Sequence, residues 1–233
     1  MKNNDHTVIR INKNSWRIED KGVRFFLLTG EKKALLIDSG MTVKNAKEIA
    51  EDLTDLPIEL FNTHADPDHI GSNAEFDEFY MHPAEEQNYR SHGGAGRIIP
   101  VREGDVTDLG NRKLTVTELA GHTPGSIALL DEDARVLISG DPIQHGTIFM
   151  FGAHRNMREY IASLHRLEKY RGKFDTIWPS HGGFPVGADT LGFVRECAEK
   201  IVNGEAKGVP FDFHGRQIVK YDFGATAFLC DKK

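Results

Sequence analysis

The run from His64 to His69 concentrates the side chains of this sequence that are best suited to chemistry. It holds two imidazoles, those of His64 and His69, and two carboxylates, those of Asp66 and Asp68. Zinc, iron and manganese all accept such ligands. The run directly follows an apolar, strand-like segment at 58–61. Ligands at the end of a strand converge and leave coordination positions open, so the run predicts a catalytic metal site.

Three further candidate ligands lie later in the chain, each in a loop that follows an apolar run. His122 lies in a Gly-His-Thr-Pro-Gly segment, Asp141 follows residues 136–140, and His181 follows residues 176–180. Glycine or proline lies beside each of them, so the backbone can turn sharply there. Taken singly, such residues are more often turns, helix caps or hydrogen-bonded polar groups than ligands. Their combination with the 64–69 run favours a metal site.

In this combination the sequence resembles the metallo-β-lactamase-fold superfamily. The resemblance rests on a His-x-Asp-x-Asp-His run at 64–69, the Gly-His-Thr-Pro-Gly context of His122, the later Asp141 and the final His181. Segment 35–40 also resembles the strand-to-loop element that precedes the metal run in that superfamily. The resemblance implies an α/β fold, a four-layer αββα sandwich. It does not specify the substrate, because one fold hosts many reactions.

The resemblance also implies a dinuclear metal site at the positions that match the family pattern. Its ligands would be His64, Asp66 and His122 for the first ion, Asp68, His69 and His181 for the second, and Asp141 with a water or hydroxide for both. Two divalent ions about 3.5–4 Å apart activate a shared water and stabilise an oxyanion. Asp68 would also orient the hydroxide, so Asp68 and Asp141 are the candidate catalytic residues. By family, zinc is the expected metal.

Asp66 departs from the commonest family pattern, which has histidine at this position. Asp66, Asp68 and Asp141 bring three negative charges against the four positive charges of two divalent ions, and a hydroxide makes the site neutral. A less positive site is a weaker Lewis acid, and an added oxygen ligand shifts its preference toward iron or manganese. The flavodiiron oxidoreductases resemble this chain here, with glutamate at the same place. They also carry a flavin domain, for which this chain has no room.

The elements that must position these residues form two runs of strands, each followed by helices. Segments rich in β-branched and aromatic residues between turn signals predict strands, and apolar residues at helical spacing predict helices. The predicted strands are 7–11, 15–18, 23–28, 33–37, 58–61, 114–119, 126–130, 135–139, 217–221 and 225–229. The predicted helices are 46–53, a stretch beginning near 70–73, part of 83–98 with a mobile loop, 157–170 and 187–202. No repeat or linker interrupts them, so we expect one domain, 1–233.

Candidate substrate-binding residues follow the predicted bridging aspartate, in segment 142–156. Phe149 and Phe151 would form an apolar wall, although core packing is an equally good interpretation. Arg155 suits a substrate carboxylate or phosphate, because guanidinium makes bidentate contacts with anions. His145 would face the substrate or support a ligand. Surface positions remain the alternative for both His145 and Arg155.

These features favour a hydrolase in which a metal-bridging hydroxide cleaves a small ester, thioester or lactone, with a phosphodiester as a further possibility. One alternative, which Asp66 favours, is a diiron oxidoreductase or a sulfur dioxygenase. Another is a non-catalytic binding module that kept the fold. The complete ligand set argues against the binding module, because such a module does not need seven ligands with open positions.

The composition restricts partners and location. The 233 residues carry a net charge of −6 without a long Lys/Arg run, which argues against nucleic-acid binding. The segment 1–6 has no apolar signal region, and no apolar stretch is long enough to span a bilayer. We therefore expect a cytoplasmic protein with a small-molecule substrate and no membrane partner. Cys197 and Cys230 would be reduced, buried thiols, and segment 211–213 would serve a homodimer contact or the core.

Overall fold

The computed structural model describes residues 6–232 of the chain. Contacts divide the chain into two compact units, Met1–Val116 and Thr117–Lys233. Each unit combines strands with helices and has a hydrophobic core of its own, so the expected α/β class is confirmed. The single domain expected over 1–233 stays a prediction. Within residues 6–232, no helix is both long and apolar enough to cross a membrane.

The first unit is built on a seven-stranded sheet. Its strands, in their order across the sheet, are β1 (His6–Asn12), β2 (Ser15–Asp20), β3 (Val23–Thr29), β4 (Ala34–Ile37), β5 (Ile58–Phe61), β6 (Glu78–Met81) and β7 (Arg97–Pro100). Strands β1 to β4 pair antiparallel, as the predicted meander requires, whereas β4 to β7 pair parallel. An antiparallel hairpin of β8 (Val106–Asp108) and β9 (Lys113–Glu118) follows.

Two short helices belong to the same unit, α1 (Ala46–Glu51) and α2 (Glu86–Ser91). In α1 the buried residues Ala46, Ile49 and Ala50 lie at helical spacing and join the apolar residues of β3 and β4 in one core. Single 3-10 turns lie at Asn73–Glu75 and Pro83–Glu85. Burial of one helix face against the apolar residues of the sheet holds this unit together.

The parallel pairing of β4 with β5 determines where the metal run begins. Ile37 lies opposite Phe61, and the next amide along, that of Asp38, donates a 2.8 Å hydrogen bond to the Phe61 carbonyl. Because parallel strands end at the same edge of a sheet, Asp38 and Thr63 leave the sheet side by side. The run from His64 to His69 continues from this edge.

The second unit contains two strand groups and two longer helices. Its elements are β10 (Ile127–Asp131), β11 (Val136–Gly140), β12 (Gly146–Met150), α3 (Met157–Leu167) with a 3-10 turn at Glu168–Tyr170, β13 (Thr176–Pro179), β14 (Val186–Gly187), α4 (Thr190–Val202), β15 (Val209–Phe213), β16 (Arg216–Asp222) and β17 (Thr226–Asp231). One sheet has the order β14-β13-β11-β10 and continues into the end of β9; the other has the order β12-β17-β16-β15.

Local sequence signals determine where helix α3 of the second unit begins and which of its faces is buried. The side chain of Asn156 caps the helix by accepting hydrogen bonds, both 3.1 Å long, from the amides of Arg158 and Glu159. Tyr160, Leu164 and Leu167 are buried on one face and pack in the core of this unit. The amphipathic pattern predicted for 157–170 is therefore confirmed, with its last three residues in a 3-10 turn.

The prediction of a helix that begins near 70–73 is wrong, since only a 3-10 turn forms there. The Ser72 hydroxyl donates to the Val43 carbonyl, and the side-chain Nδ2 of Asn73 donates to Oδ1 of Asn62, at 2.8 Å in each case. The backbone amide of Gly71 donates to the Gly40 carbonyl at 2.7 Å. Hydrogen bonds to distant residues thus hold this segment in a non-helical conformation.

Candidate metal centre

The first unit brings together four of the predicted ligands, the first-unit ligand group: His64, Asp66, Asp68 and His69. The Nε2 atom of His64 lies 3.6 Å from Oδ2 of Asp66, and Nε2 of His69 lies 3.6 Å from Oδ2 of Asp68. Both rings are completely buried, and their centroids are 4.0 Å apart. The two carboxylates are partly exposed, 17% for Asp66 and 26% for Asp68. Each buried imidazole therefore faces a carboxylate that solvent reaches.

The buried carboxylate of Asp38 orients both histidines. It accepts hydrogen bonds from the amide of Thr63 at 2.7 Å, from the Thr63 hydroxyl at 2.8 Å and from Nδ1 of His69 at 2.8 Å. The Thr63 oxygen in turn lies 3.0 Å from Nδ1 of His64. Since an ionised carboxylate only accepts, these contacts assign the proton of both rings to Nδ1 and a lone pair to Nε2. Metal ligation at Nε2 requires this tautomer.

Two residues that the sequence did not reveal support the same run from segment 83–91. Glu85 is fully buried, and its Oε2 accepts a 2.8 Å hydrogen bond from the amide of Ala65. Asn88, in α2, donates through Nδ2 to Oδ1 of Asp66 over 3.4 Å. Glu85 thus fixes the backbone between two ligands, and Asn88 fixes the oxygen of Asp66 that does not face His64.

The second unit brings together the other three predicted ligands, the second-unit ligand group: His122, Asp141 and His181. Oδ2 of Asp141 lies 3.6 Å from Nε2 of His122, and Oδ1 of Asp141 lies 3.3 Å from Nε2 of His181. Nδ1 of His122 donates to the carbonyl of Phe149 at 2.9 Å, which directs Nε2 toward Asp141. One carboxylate oxygen therefore faces each histidine, as a carboxylate that bridges two metal ions requires.

Tight backbone turns hold the second-unit ligand group in place. Gly121 has φ +125°, and a Cβ added there would lie 2.3 Å from the amide nitrogen of Tyr160. Gly182 has φ +65°, and a Cβ there would lie 1.6 Å from the carbonyl oxygen of His145. Only glycine fits beside His122 and His181 under these conditions. The turns that the sequence predicted at these ligands are therefore confirmed.

Tyr160 supports the loop that carries Asp141. Its side chain is fully buried, and its hydroxyl donates to the carbonyl of Pro142, the residue after Asp141. Burial raises the pKa of Tyr160 well above its usual value, so the phenol stays protonated and remains a donor. This hydrogen bond was not predictable from the sequence, because 18 residues separate the two groups.

The donor chemistry of both ligand groups fits divalent transition metals. The donors are imidazole nitrogens and carboxylate oxygens, the set that zinc, iron and manganese share. The nitrogen–oxygen distances of 3.3–3.6 Å are longer than usual hydrogen bonds. Two ligands bound at 2.0–2.2 Å to one tetrahedral ion lie about 3.3 Å apart, which agrees with these separations. Each group could therefore contribute ligands without rearrangement.

The four predicted substrate-binding residues have different surroundings. Phe149 and Phe151 form an aromatic cluster with Phe213, and the three ring centroids are 5.4–5.7 Å apart. His145 is half-buried, and its Nε2 lies 3.2 Å from the hydroxyl of Thr190. Arg155 is half-buried and lines a cavity of about 490 Å³ in the second unit. Their contact with a substrate stays a prediction, and Phe213, which lies in the segment expected to serve a homodimer contact or the core, packs against both phenylalanines.

Known relatives of this chain include hydrolases of two kinds. Acyl-coenzyme A thioesterase MBLAC2 from Gallus gallus is 29% identical over 206 residues, which cover 71% of this chain and 74% of the relative. A hydroxyacylglutathione hydrolase from Gloeobacter violaceus is 31% identical over 144 residues, which cover 58% of this chain and 55% of the relative. The relatives thus carry the names of enzymes that hydrolyse small-molecule substrates.

A solved structure and a family model determine the fold and the family. The metallo-β-lactamase from Pontibacter korlensis matches with a TM-score of 0.71 and 16% identity, covering 83% of this chain and 99% of that structure. This likeness confirms the expected metallo-β-lactamase fold. The model of the metallo-β-lactamase superfamily matches residues 19–181, a range that includes all seven predicted ligands. The chain therefore belongs to the metallo-β-lactamase superfamily.

Proposed function

We propose that this chain is a metal-dependent hydrolase of thioesters that uses two divalent ions, with the seven predicted ligands as their donors. The thioesterase relative supports the substrate class, since the reaction in its name breaks the bond between an acyl group and a thiol carrier. The hydroxyacylglutathione hydrolase supports the hydrolase class as well. Small esters and lactones remain further candidate substrates, because they present the same electrophilic carbonyl carbon to the site.

The observation that carries the proposal is the geometry of Asp141. Its two oxygens face two different histidines, with Oδ2 3.6 Å from Nε2 of His122 and Oδ1 3.3 Å from Nε2 of His181. Both separations match those of two ligands bound to one metal ion, about 3.3 Å. Asp141 is also nearly buried, with 7% of its side chain exposed. A buried carboxylate between two imidazoles at ligand spacing is best explained by shared metal ligation.

The residues of the chain have separate tasks in the proposed reaction. Divalent ions, when bound, activate water and polarise the thioester carbonyl. Asp68 is the more exposed of the two predicted ligand carboxylates of the first unit. Its Oδ1 would orient the attacking water by accepting a hydrogen bond from it. Asp38 and the Phe149 carbonyl keep His69 and His122 in the tautomer that presents Nε2. The rigid ligand groups therefore need little rearrangement between substrate and product.

Thiol release from thioesters tests the proposal. The protein, reconstituted separately with zinc, iron and manganese, is assayed with a thiol-reactive dye, and esters and lactones are tested by pH-stat. The His122→Ala variant should lose activity by about a hundred-fold or more, comparable to removal of other electrostatic catalytic groups. The matched control is His165→Ala, at an exposed histidine of the same unit that does not line the cavity beside Arg155. A metal-loaded protein that hydrolyses none of these substrates would overturn the proposal.

The identity of the bound metal is a separate part of the proposal. Zinc is the expected ion by family, whereas Asp66 adds an oxygen ligand that favours iron or manganese. Elemental analysis and a visible spectrum of protein grown with both zinc and iron decide between them. Two irons with a redox-sensitive spectrum would support the oxidoreductase alternative instead. One ion per chain after reconstitution would contradict the dinuclear site.

The expected location and assembly also stay predictions. Phe211 is 38% exposed on β15, a strand at the edge of its sheet, which is compatible with the predicted homodimer contact at 211–213. Light scattering across a concentration series, compared with the Phe211→Ser variant, tests this contact. A cytoplasmic location remains the expectation from the sequence.

A further inference from the structure

A cleft of about 420 Å³ lies in the first unit beside the metal run. This volume is within the range of small-molecule sites, roughly 300–1,000 Å³. Pro67 and Ile70 form part of its lining; Pro67 lies between the ligands Asp66 and Asp68, and Ile70 follows His69. Met41 forms another part, so we call it the Met41 cleft. The run that supplies four metal ligands thus also supplies one wall of the cleft.

The loop that carries Met41 is held by a buried carboxylate. Asp20 is fully buried, and its Oδ2 accepts hydrogen bonds from the amides of Met41, Thr42 and Val43 at 2.7, 2.6 and 3.1 Å. Met41 nevertheless remains 37% exposed. Because its backbone is anchored and it lines the cleft, its side chain can give a ligand an apolar contact.

The opposite side of the Met41 cleft is a glycine-rich turn packed on an aromatic ring. Tyr89 is buried, and its hydroxyl donates to the carbonyl of Ala95 at 2.7 Å. Burial raises the pKa of Tyr89, so this phenol stays neutral. A Cβ at Gly94 would lie 2.4 Å from the tyrosine ring, so the backbone can approach the ring only at a glycine. The cleft is therefore defined by packing on both sides.

The Met41 cleft carries one positive charge at its rim, that of Lys44. No carboxylate belongs to the lining among residues 6–232. The Lys44 ammonium donates to the carbonyl of Gly71 at 3.0 Å, which holds it at the cleft and leaves further donors of its three N–H groups for a ligand. His92 also lines the cleft, and its Nδ1 donates to the Asn88 carbonyl at 2.9 Å. In a chain of net charge −6, the ammonium of Lys44 favours an anionic ligand at this place.

We propose that the Met41 cleft binds the thiol-carrier part of the thioester, with its apolar atoms against Met41, Pro67 and Ile70 and an anionic oxygen group at Lys44. The inference rests on the proposed function, because the cleft matters for turnover only if the metal run cleaves the thioester. An open cleft with mixed polar and apolar lining suits an extended amphipathic arm. A fully apolar acyl chain would leave the Lys44 ammonium without a complementary group. The anion is a carboxylate or a phosphate, which the test separates.

Three thioesters with the same acyl group form the test: one on N-acetylcysteamine, which has no anion, one on glutathione, which has carboxylates, and one on coenzyme A, which has phosphates. The Lys44→Gln variant removes the charge and keeps a polar donor on a side chain that is one atom shorter. We expect the ratio of kcat/KM for the anionic carrier to that for the neutral carrier to fall about ten-fold, mainly through KM, as for loss of one charge-assisted hydrogen bond. Lys44→Arg should restore most of this ratio.

The matched control is Lys32→Gln, at an exposed lysine of the same unit that does not belong to the lining, and its ratio should equal that of the wild type. A fall for glutathione alone assigns a carboxylate, a fall for coenzyme A alone assigns a phosphate, and a fall for both supports an anion of either kind. An unchanged ratio for both carriers in Lys44→Gln overturns the inference.

Calorimetric titration of the free carriers separates failure of the inference from failure of the proposed function. Glutathione and coenzyme A are titrated into the metal-loaded protein without any turnover. If the wild type hydrolyses none of the three thioesters, the proposed function fails and the titration alone decides about the cleft. If the carriers bind and Lys44→Gln weakens this binding, the result supports the Met41 cleft as an anion-binding site. If the carriers do not bind, or bind equally well to Lys44→Gln, the inference is overturned.

Discussion

Replacing Asp38 by asparagine tests whether this carboxylate sets the ligands of the first unit. Asp38 accepts three hydrogen bonds, two from Thr63 and one from Nδ1 of His69. The asparagine oxygen can still accept from the Thr63 amide. Its NH2 group cannot accept from His69, because both partners would be donors. The imidazole must then rotate, which turns Nε2 away from its ligating position, or take the other tautomer, which puts the proton on Nε2.

The magnitude follows from the hydrogen bond that is lost. A hydrogen bond to a charged group contributes roughly 1.5–3 kcal/mol. Because about 1.4 kcal/mol corresponds to a factor of ten in affinity, loss of the bond to His69 predicts a ten- to hundred-fold weaker metal affinity. The free energy of unfolding should fall as well, since Asp38 is 1% exposed and the replacement leaves a buried donor without an acceptor.

Chelator competition with zinc, read by a fluorescent indicator, measures the affinity of Asp38→Asn without any assay of activity. Circular dichroism at the same temperature shows whether the variant is folded. The control is Asp55→Asn, at an exposed aspartate of the same unit, which should bind metal like the wild type. A folded Asp38→Asn protein with wild-type metal affinity would refute the anchoring role of Asp38.

Three further predictions address other parts of the chain. Asn88→Leu should weaken zinc binding by up to about ten-fold in the same competition assay, because the 3.4 Å hydrogen bond to Asp66 is long; unchanged affinity would contradict this. Burial by itself raises the pKa of Asp20, but hydrogen bonds from the side chain and amide of Thr42 and from neighbouring amides outweigh it, so the pKa is lowered. The folded protein therefore gains stability from Asp20 above about pH 4 and loses this stability as the pH falls. Urea unfolding should show that acid lowers the free energy of unfolding less in Asp20→Asn than in the wild type. An equal decrease in both proteins would refute the contribution of Asp20. Burial raises the pKa of the Cys197 thiol to about 11. Iodoacetamide at pH 7.5 should therefore leave Cys197 unmodified until urea unfolds the protein, which mass spectrometry measures. Labelling of Cys197 in the folded protein would contradict its burial.

The sequence predicted the ligands and the longer elements because their signals are local. Strand β5 begins and ends at the predicted residues, and α3 begins at the predicted Met157. Apolar patterning reports burial of a strand or a helix face directly. The candidate ligands stay predictions that rest on the family resemblance, and each lies in a short segment whose motif is visible in the sequence. What remained uncertain was whether the residues of one ligand group face one another, which the distances around Asp141 resolve for the second unit.

The elements that were not predicted are short or depend on distant partners. Strands β6, β7 and β8 are short and carry charged residues or proline at their ends (Glu78, Arg97, Pro100 and Asp108), so their apolar pattern is weak. Strand β15 carries Pro210, which reads as a turn residue. Glu85 and Asn88 act on residues about twenty positions away, and no local pattern marks them. The cleft beside Met41 likewise depends on three separate segments, so only the folded chain reveals it.

The hydrogen bonds that Asp20 accepts from the backbone amides of residues 41–43 affect the kinetics of ligand binding. Fixing the backbone of one residue costs roughly 1–2 kcal/mol in conformational entropy. The three amides that converge on Asp20 are already fixed in the folded chain, so an arriving molecule does not have to order them. Association with this wall should then be limited by diffusion and orientation, not by a slow loop rearrangement. Molecules that do not match the wall would dissociate quickly, so discrimination among them would rest on residence time.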